Sequence, residues 1–157
     1  MKTTALGLSF AVLFCSALAA QQQASSPSST EATRGIVKTY LEIQGHLAAD
    51  KFEDVKGPAR TLTSQAAALG REGADLAKAA TAFAAASDVK TARDAFGALS
   101  EAVIARVKAD GSKEAAADLR LAYCPMVNRS WLQRDEQVRN PYFGSSMLTC
   151  GEFKPLR

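Results

Sequence analysis

Between Phe52 and Leu69 apolar side chains recur three and four residues apart, at Phe52, Val55, Ala59, Leu62, Ala66 and Leu69. A turn of 3.6 residues brings such positions onto one face, so this spacing commits the segment to an amphipathic helix whose apolar side must be covered by a partner. The same interval returns upstream at Ile36, Tyr40, Ile43 and Leu47, and downstream at Leu76, Ala80 and Phe83 and then at Val89, Ala92, Phe96, Leu99, Val103 and Val107. The expected fold is therefore all-α: an up-and-down bundle of three to four helices, with an irregular aromatic and Cys/Met-rich C-terminal loop packed on it.

Local signals set the expected boundaries. The first helix starts near Ser29 or Thr30, with Glu31 in its first turn, and runs to about Ala49. Gly45 inside it costs roughly 1 kcal/mol against Ala, which reads as an allowance for close helix packing. Asp50 followed by Glu53 resembles a capping arrangement for a second helix. Gly57-Pro58 implies either a kink or a helix start at Pro58, and Gly70 with Gly73 divides the segment again into two helices or one bent helix. Ser87-Asp88 caps a long helix that stops at Asp110-Gly111. The Ala-rich stretch 113–119 reads as a short helix or, equally, from the alternation of Leu119, Leu121 and Tyr123, as part of an extended segment. Many inward positions are Ala, so the core is expected to be thin and to gain from fastening at one end.

Ahead of the bundle, the apolar run Ala5 to Ala20 follows Lys2 and ends in Ala17-Leu18-Ala19, the pattern of a secretory signal peptide. The expected organisation is a signal peptide over 1–19, a disordered linker over 20–30 rich in Gln and Ser, and one helical domain over 31–157. Cleavage removes Lys2 and Cys15, lowers the formal charge from +3 to +2 and leaves one pair of cysteines. The expected location is periplasmic or secreted, with no membrane anchor after cleavage. From Arg120 onward six basic residues face three acidic ones, too sparse a cluster for a nucleic-acid footprint.

Residues 123–151 differ from all that precedes them. They gather the one Trp, two of the three Cys, two of the three Met and two of the three Tyr. Cys124, Met126, Met147 and Cys150 form a candidate soft-metal set, since thiolates and thioethers favour Cu(I), with Zn(II) or Ag(I) competing. The alternative is a Cys124–Cys150 disulfide, which an oxidising compartment favours. Closing that loop of about 27 residues would stabilise the fold by roughly 3.5 kcal/mol on the chain-entropy account. Trp131, Tyr142 and Phe143 read as apolar anchors of the loop; in the rival reading Trp131, Arg134, Arg139 and Tyr142 face a protein partner. Asn140-Pro141 favours a turn, and Gly144 suits a positive φ. His46, the sole histidine, reads as a surface or packing residue. No nucleophile–base set, zinc-protease motif or phosphate-binding glycine loop occurs, so an enzyme is not expected.

Tyr40-Leu41, Leu47-Ala48-Ala49-Asp50, Phe96, Leu99-Ser100, Tyr123-Cys124-Pro125-Met126, Trp131-Leu132-Gln133, Arg139-Asn140-Pro141-Tyr142-Phe143-Gly144 and Met147-Leu148-x-Cys150-Gly151 together carry a resemblance. From about Ile36 to Glu152 the chain resembles the domain of unknown function found in periplasmic adaptor subunits of heavy-metal efflux systems and in stand-alone secreted bacterial proteins. The resemblance implies copper or other soft-metal handling beside an efflux system, with a component of that system as partner. The non-catalytic alternative is a disulfide-stapled structural or protein-interaction module.

Overall fold

The computed structural model describes residues 28–156; the expected signal peptide, and the expected linker as far as residue 27, lie outside the described residues. Ser28 accepts a hydrogen bond from the Glu31 amide at 3.2 Å and so caps helix α1, Ser29–Ala48, which takes in the last two residues of the expected linker. Its stripe of Ile36, Tyr40, Ile43 and Leu47 is buried. Gly45 is not a packing device, because a Cβ there would meet nothing within 4 Å.

Asp50 does not cap the next helix, contrary to the capping expectation. It turns the chain at φ +59, and its carboxylate goes instead to Arg93 and the Ser145 amide. A 3-10 turn, Glu53–Val55, leads into α2, Lys56–Ala68, with no side-chain cap. Pro58 falls in the first turn of α2, where its missing N–H is harmless, so it belongs to a helix start and not to a kink. Gly70 at φ +59 opens a 3-10 turn, Gly70–Gly73, that reverses the chain. At Gly73 a Cβ would lie 2.3 Å from the Ala66 carbonyl oxygen. The segment is thus two helices, with α3, Ala74–Ala84, packed back on α2.

Asp88 and Thr91 form a reciprocal capping box at the start of α4, Val89–Asp110, and Gly111 closes it at φ +66. Helix α1 packs on α2, α2 on α3, α3 on α4 and α4 on α1, while the backbones of the two diagonal pairs stay apart. Short connections make such neighbours antiparallel, so the helices form a closed four-membered ring around Tyr40, Leu62, Phe83, Phe96 and Leu99.

The all-α expectation fails beyond α4. Turns over residues 113–118 end at Asp118, φ +57, and the chain then runs extended. Strand β1, Arg120–Cys124, pairs antiparallel with β2, Arg129–Gln133, setting Ala122 opposite Trp131 and Leu121 opposite Leu132. Strand β3, Glu152–Lys154, adds to the other side of β1, giving the order β2-β1-β3. The fold is mixed: a four-helix bundle carrying a three-stranded antiparallel sheet. Residues 127–130, taken as part of a loop, are the end of a hairpin turn and the start of β2. The terminal loop is therefore only partly irregular.

Candidate functional site: a sheet-borne thiol pair

A sheet edge exposes unpaired backbone groups, and β2 has such an edge. Two tyrosines satisfy it. The Tyr40 hydroxyl accepts from the Leu132 amide at 3.2 Å and shares a short hydrogen bond with Ser100, while the Tyr142 hydroxyl donates to the Ser130 carbonyl at 2.8 Å. Burial pushes both phenols above the ordinary tyrosine range, so they remain protonated donors at any physiological pH. The rings continue the link: Phe83 meets Phe96 at 6.1 Å, Phe96 meets Tyr40 at 5.4 Å and Tyr142 at 5.6 Å, and Tyr142 meets Trp131 at 5.9 Å. One aromatic chain thus joins the bundle to the sheet.

Residues 134–150 have little regular structure, and two fully buried amides give them a fixed path. The Gln133 Oε1 accepts from Trp131 Nε1 at 2.9 Å and from the Arg139 amide at 3.0 Å, and its Nε2 donates to the Asp135 and Gln137 carbonyls. Asn140 Nδ2 donates to the Cys150 carbonyl at 2.7 Å, its Oδ1 accepts from the Tyr142 amide, and its backbone N–H donates to the Leu148 carbonyl at 2.7 Å. Side chains of the bundle hold the outside of the same segment. Gln44 donates to the Arg139 carbonyl at 2.7 Å; Arg93 donates to the carbonyls of Pro141 and Leu47 and pairs with Asp50, which accepts the Ser145 amide at 2.9 Å. Hydrogen bonding from Ser145, with Arg93 beside it, lowers the Asp50 carboxyl to about 2. Gly144, at φ +58, has no room for a Cβ against Asp50 and Arg93.

The path ends at the thiols. Cys124 closes β1 and is fully buried; carrying the β1–β3 register one step past Tyr123↔Glu152 sets it opposite Gly151, next to Cys150. Both cysteines are free thiols. Partial burial pushes the Cys150 thiol up, and the Cys124 thiol beside it adds to the effect. Gly151 is tightly enclosed as well: a Cβ there would lie 2.9 Å from the Tyr123 carbonyl oxygen and 3.0 Å from Trp131.

Of the four sulfurs in the candidate metal set, the fold brings Cys124 and Cys150 together. Met126 lies on the hairpin loop, 67% exposed, and Met147 is half-buried at the end of a 3-10 turn, Gly144–Ser146, its carbonyl accepting from the Cys150 amide at 3.0 Å. Among the described residues no group of three or more His, Cys, Asp or Glu is placed to share an ion, so a metal here would rest on the thiol pair with thioether help. Two facing thiols do fit a soft, low-coordinate ion. Trp131, Tyr142 and Asn140 are buried, Phe143 and Arg139 half-buried and Arg134 exposed. His46 lies 3.8 Å from Asp54, where α1 meets the following 3-10 turn.

Sequence reasoning missed Gln133, Gln44, Asp50 and Arg93 as organisers of this region. Gln133 alone left a signal, a polar residue directly after Trp131-Leu132; the others act on partners more than forty positions away.

No curated protein and no solved structure matches the chain. A family model described as "Protein of unknown function (DUF3347)" matches residues 36–115, which take in most of α1, all of α2 to α4 and stop short of β1. The match thus covers the helices, whereas the fuller part of the resemblance lay in the terminal third. With half of its length matched, and most of the bundle in that half, the chain belongs to the DUF3347 family.

Proposed function

We propose that the protein is an exported, non-catalytic accessory that binds a soft metal ion such as Cu(I) through Cys124 and Cys150 and works beside a heavy-metal efflux system. The observation that carries this reading is the meeting of the two thiols at the end of β1. Thiols are soft donors, and a pair of them suffices for Cu(I), which accepts few ligands. Met147 shares a turn with Cys150, and Met126 follows Cys124 by two residues, so each thiol has a thioether near it in the chain. Binding replaces thiol protons by metal, so uptake releases acid.

Competition between the reduced protein and a Cu(I) chelator tests this. The expected result is one Cu(I) per chain, lost in Cys150→Ser and weakened by roughly ten- to a hundredfold in Met147→Leu. Absence of bound copper with all sulfurs reduced would sink the reading.

The full burial of Cys124 favours a second reading, in which the pair serves as a staple and the module binds a protein partner through its exposed hairpin tip, Met126 and Val127, and through Arg134. A tip variant, Met126→Ser with Val127→Ser, that captures the same proteins as the wild type would count against it.

A further inference from the structure

We infer that Cys150 is a thiol–disulfide exchange site, the thiol that reacts first with an external disulfide, and that Cys124 is the resolving thiol that completes an internal bridge. The two cysteines differ in access. Cys124 is 0% exposed within β1, whereas Cys150 is half-buried in the segment that leads into β3, so an outside reagent meets only the second. Their mutual placement is fixed from both sides. The backbone of Cys150 is held by its N–H to the Met147 carbonyl at 3.0 Å and by its carbonyl to Asn140 Nδ2 at 2.7 Å, and Cys124 is held by the pairing of β1 with β2. A mixed disulfide formed on Cys150 therefore has the Cys124 sulfur beside it, and an attack within a fixed geometry outruns one from solution.

The chemistry needs a disulfide donor, RS–SR, such as oxidised glutathione. The Cys150 thiolate attacks one donor sulfur; the S–S bond of the donor breaks, the bond Cys150–S–SR forms, and the first RS⁻ leaves with the proton that Cys150 gave up. The Cys124 thiolate then attacks the Cys150 sulfur and displaces the second RS⁻, which takes the Cys124 proton. The two cysteines are oxidised by two electrons in all, and the donor is reduced to two thiols. The bridge removes both thiolates, so it and a soft metal exclude one another. The inference uses the same thiol pair as the metal reading without requiring the metal.

The test treats the reduced full chain, carrying Cys15→Ser, with oxidised glutathione, quenches it with acid at intervals, and reads intact mass and the modified peptide. In the wild-type pair a transient glutathione adduct maps to Cys150 and decays to the internal bridge. Cys124→Ala accumulates one stable adduct, and Cys150→Ala is modified roughly tenfold or more slowly. A transient adduct on Cys124 in the wild-type pair, which needs no variant to fold, would overturn the assignment, as would equal rates in the two variants. Copper binding measured on the same reduced sample fails or succeeds separately.

Discussion

The bundle and the terminal segment are both ordered, and they reach order by different physics. In the bundle, neighbouring helices bury stripes of Ile, Leu, Phe and Ala, and away from the helix ends the backbone groups bond within their own helix. The terminal segment has three short strands and long stretches of irregular backbone, and its carbonyls and amides are taken one at a time by Gln133, Asn140, Gln44, Arg93 and Asp50. Apolar burial tolerates some rearrangement. A buried amide that loses its partners does not, because each orphaned group carries its own desolvation cost.

Four expectations probe this contrast. The largest belongs to Phe96, which touches Phe83, Tyr40 and Tyr142: Phe96→Ala should lower stability by about 3–5 kcal/mol in urea unfolding followed by far-ultraviolet circular dichroism, and a loss below about 1 would mean that the aromatic chain does not join the two regions. Asn140→Ala comes next, at about 2–3 kcal/mol, and should open the amides of residues 140–150 to hydrogen exchange while those of α2 and α3 stay protected. Uniform loss of protection would deny that the regions differ. Asp50 gives a smaller, pH-dependent effect. Its carboxyl is lowered in the fold, so its contribution is complete above about pH 4 and disappears as pH falls toward about 2. The side chain is 38% exposed, so screening limits the gap between wild type and Asp50→Asn to about 1 kcal/mol at neutral pH, and the urea midpoints should converge in acid. Smallest and opposite in sign, Gly45→Ala should raise stability by about 0.5–1 kcal/mol, since the added methyl group meets nothing.

The same contrast explains what the sequence could reveal. Helix α4 was legible to the residue, because Asp88 and Gly111 act on the backbone within a few positions of themselves. Gly70 and Gly73 marked the break between α2 and α3 for the same reason, without deciding between two helices and one bent helix. For strand β1 the alternation Leu119, Leu121, Tyr123 left an extended reading level with a helical one, and nothing local decided between them. Strand β2 did not, because Trp131, Leu132 and Gln133 are all buried and leave no alternation to read. Nor does Pro125-Met126-Val127-Asn128 carry the Asn-Gly or Asp-Gly mark of a short hairpin. Strand β3 is three exposed residues at an edge, recognisable only from its pairing with β1. At the thiols, the sequence supplied the four sulfurs, but the meeting of Cys124 with Cys150 depends on the register of β1 against β3, which no local pattern displays.

Trp131 occupies an unusual position for a sole tryptophan. It lies against Tyr142 on one side and Gly151 on the other, one residue from Cys150, while the bundle itself contains only tyrosine and phenylalanine. Excited at the red edge of indole absorption, the protein would emit from a single chromophore beside the thiol pair. Sulfur quenches indole by electron transfer at short range, and a disulfide does so more strongly than a thiol. The intensity of that emission would follow the oxidation state of Cys124 and Cys150, and its wavelength the packing of the terminal segment, so the protein contains its own optical probe of the region where its chemistry is concentrated.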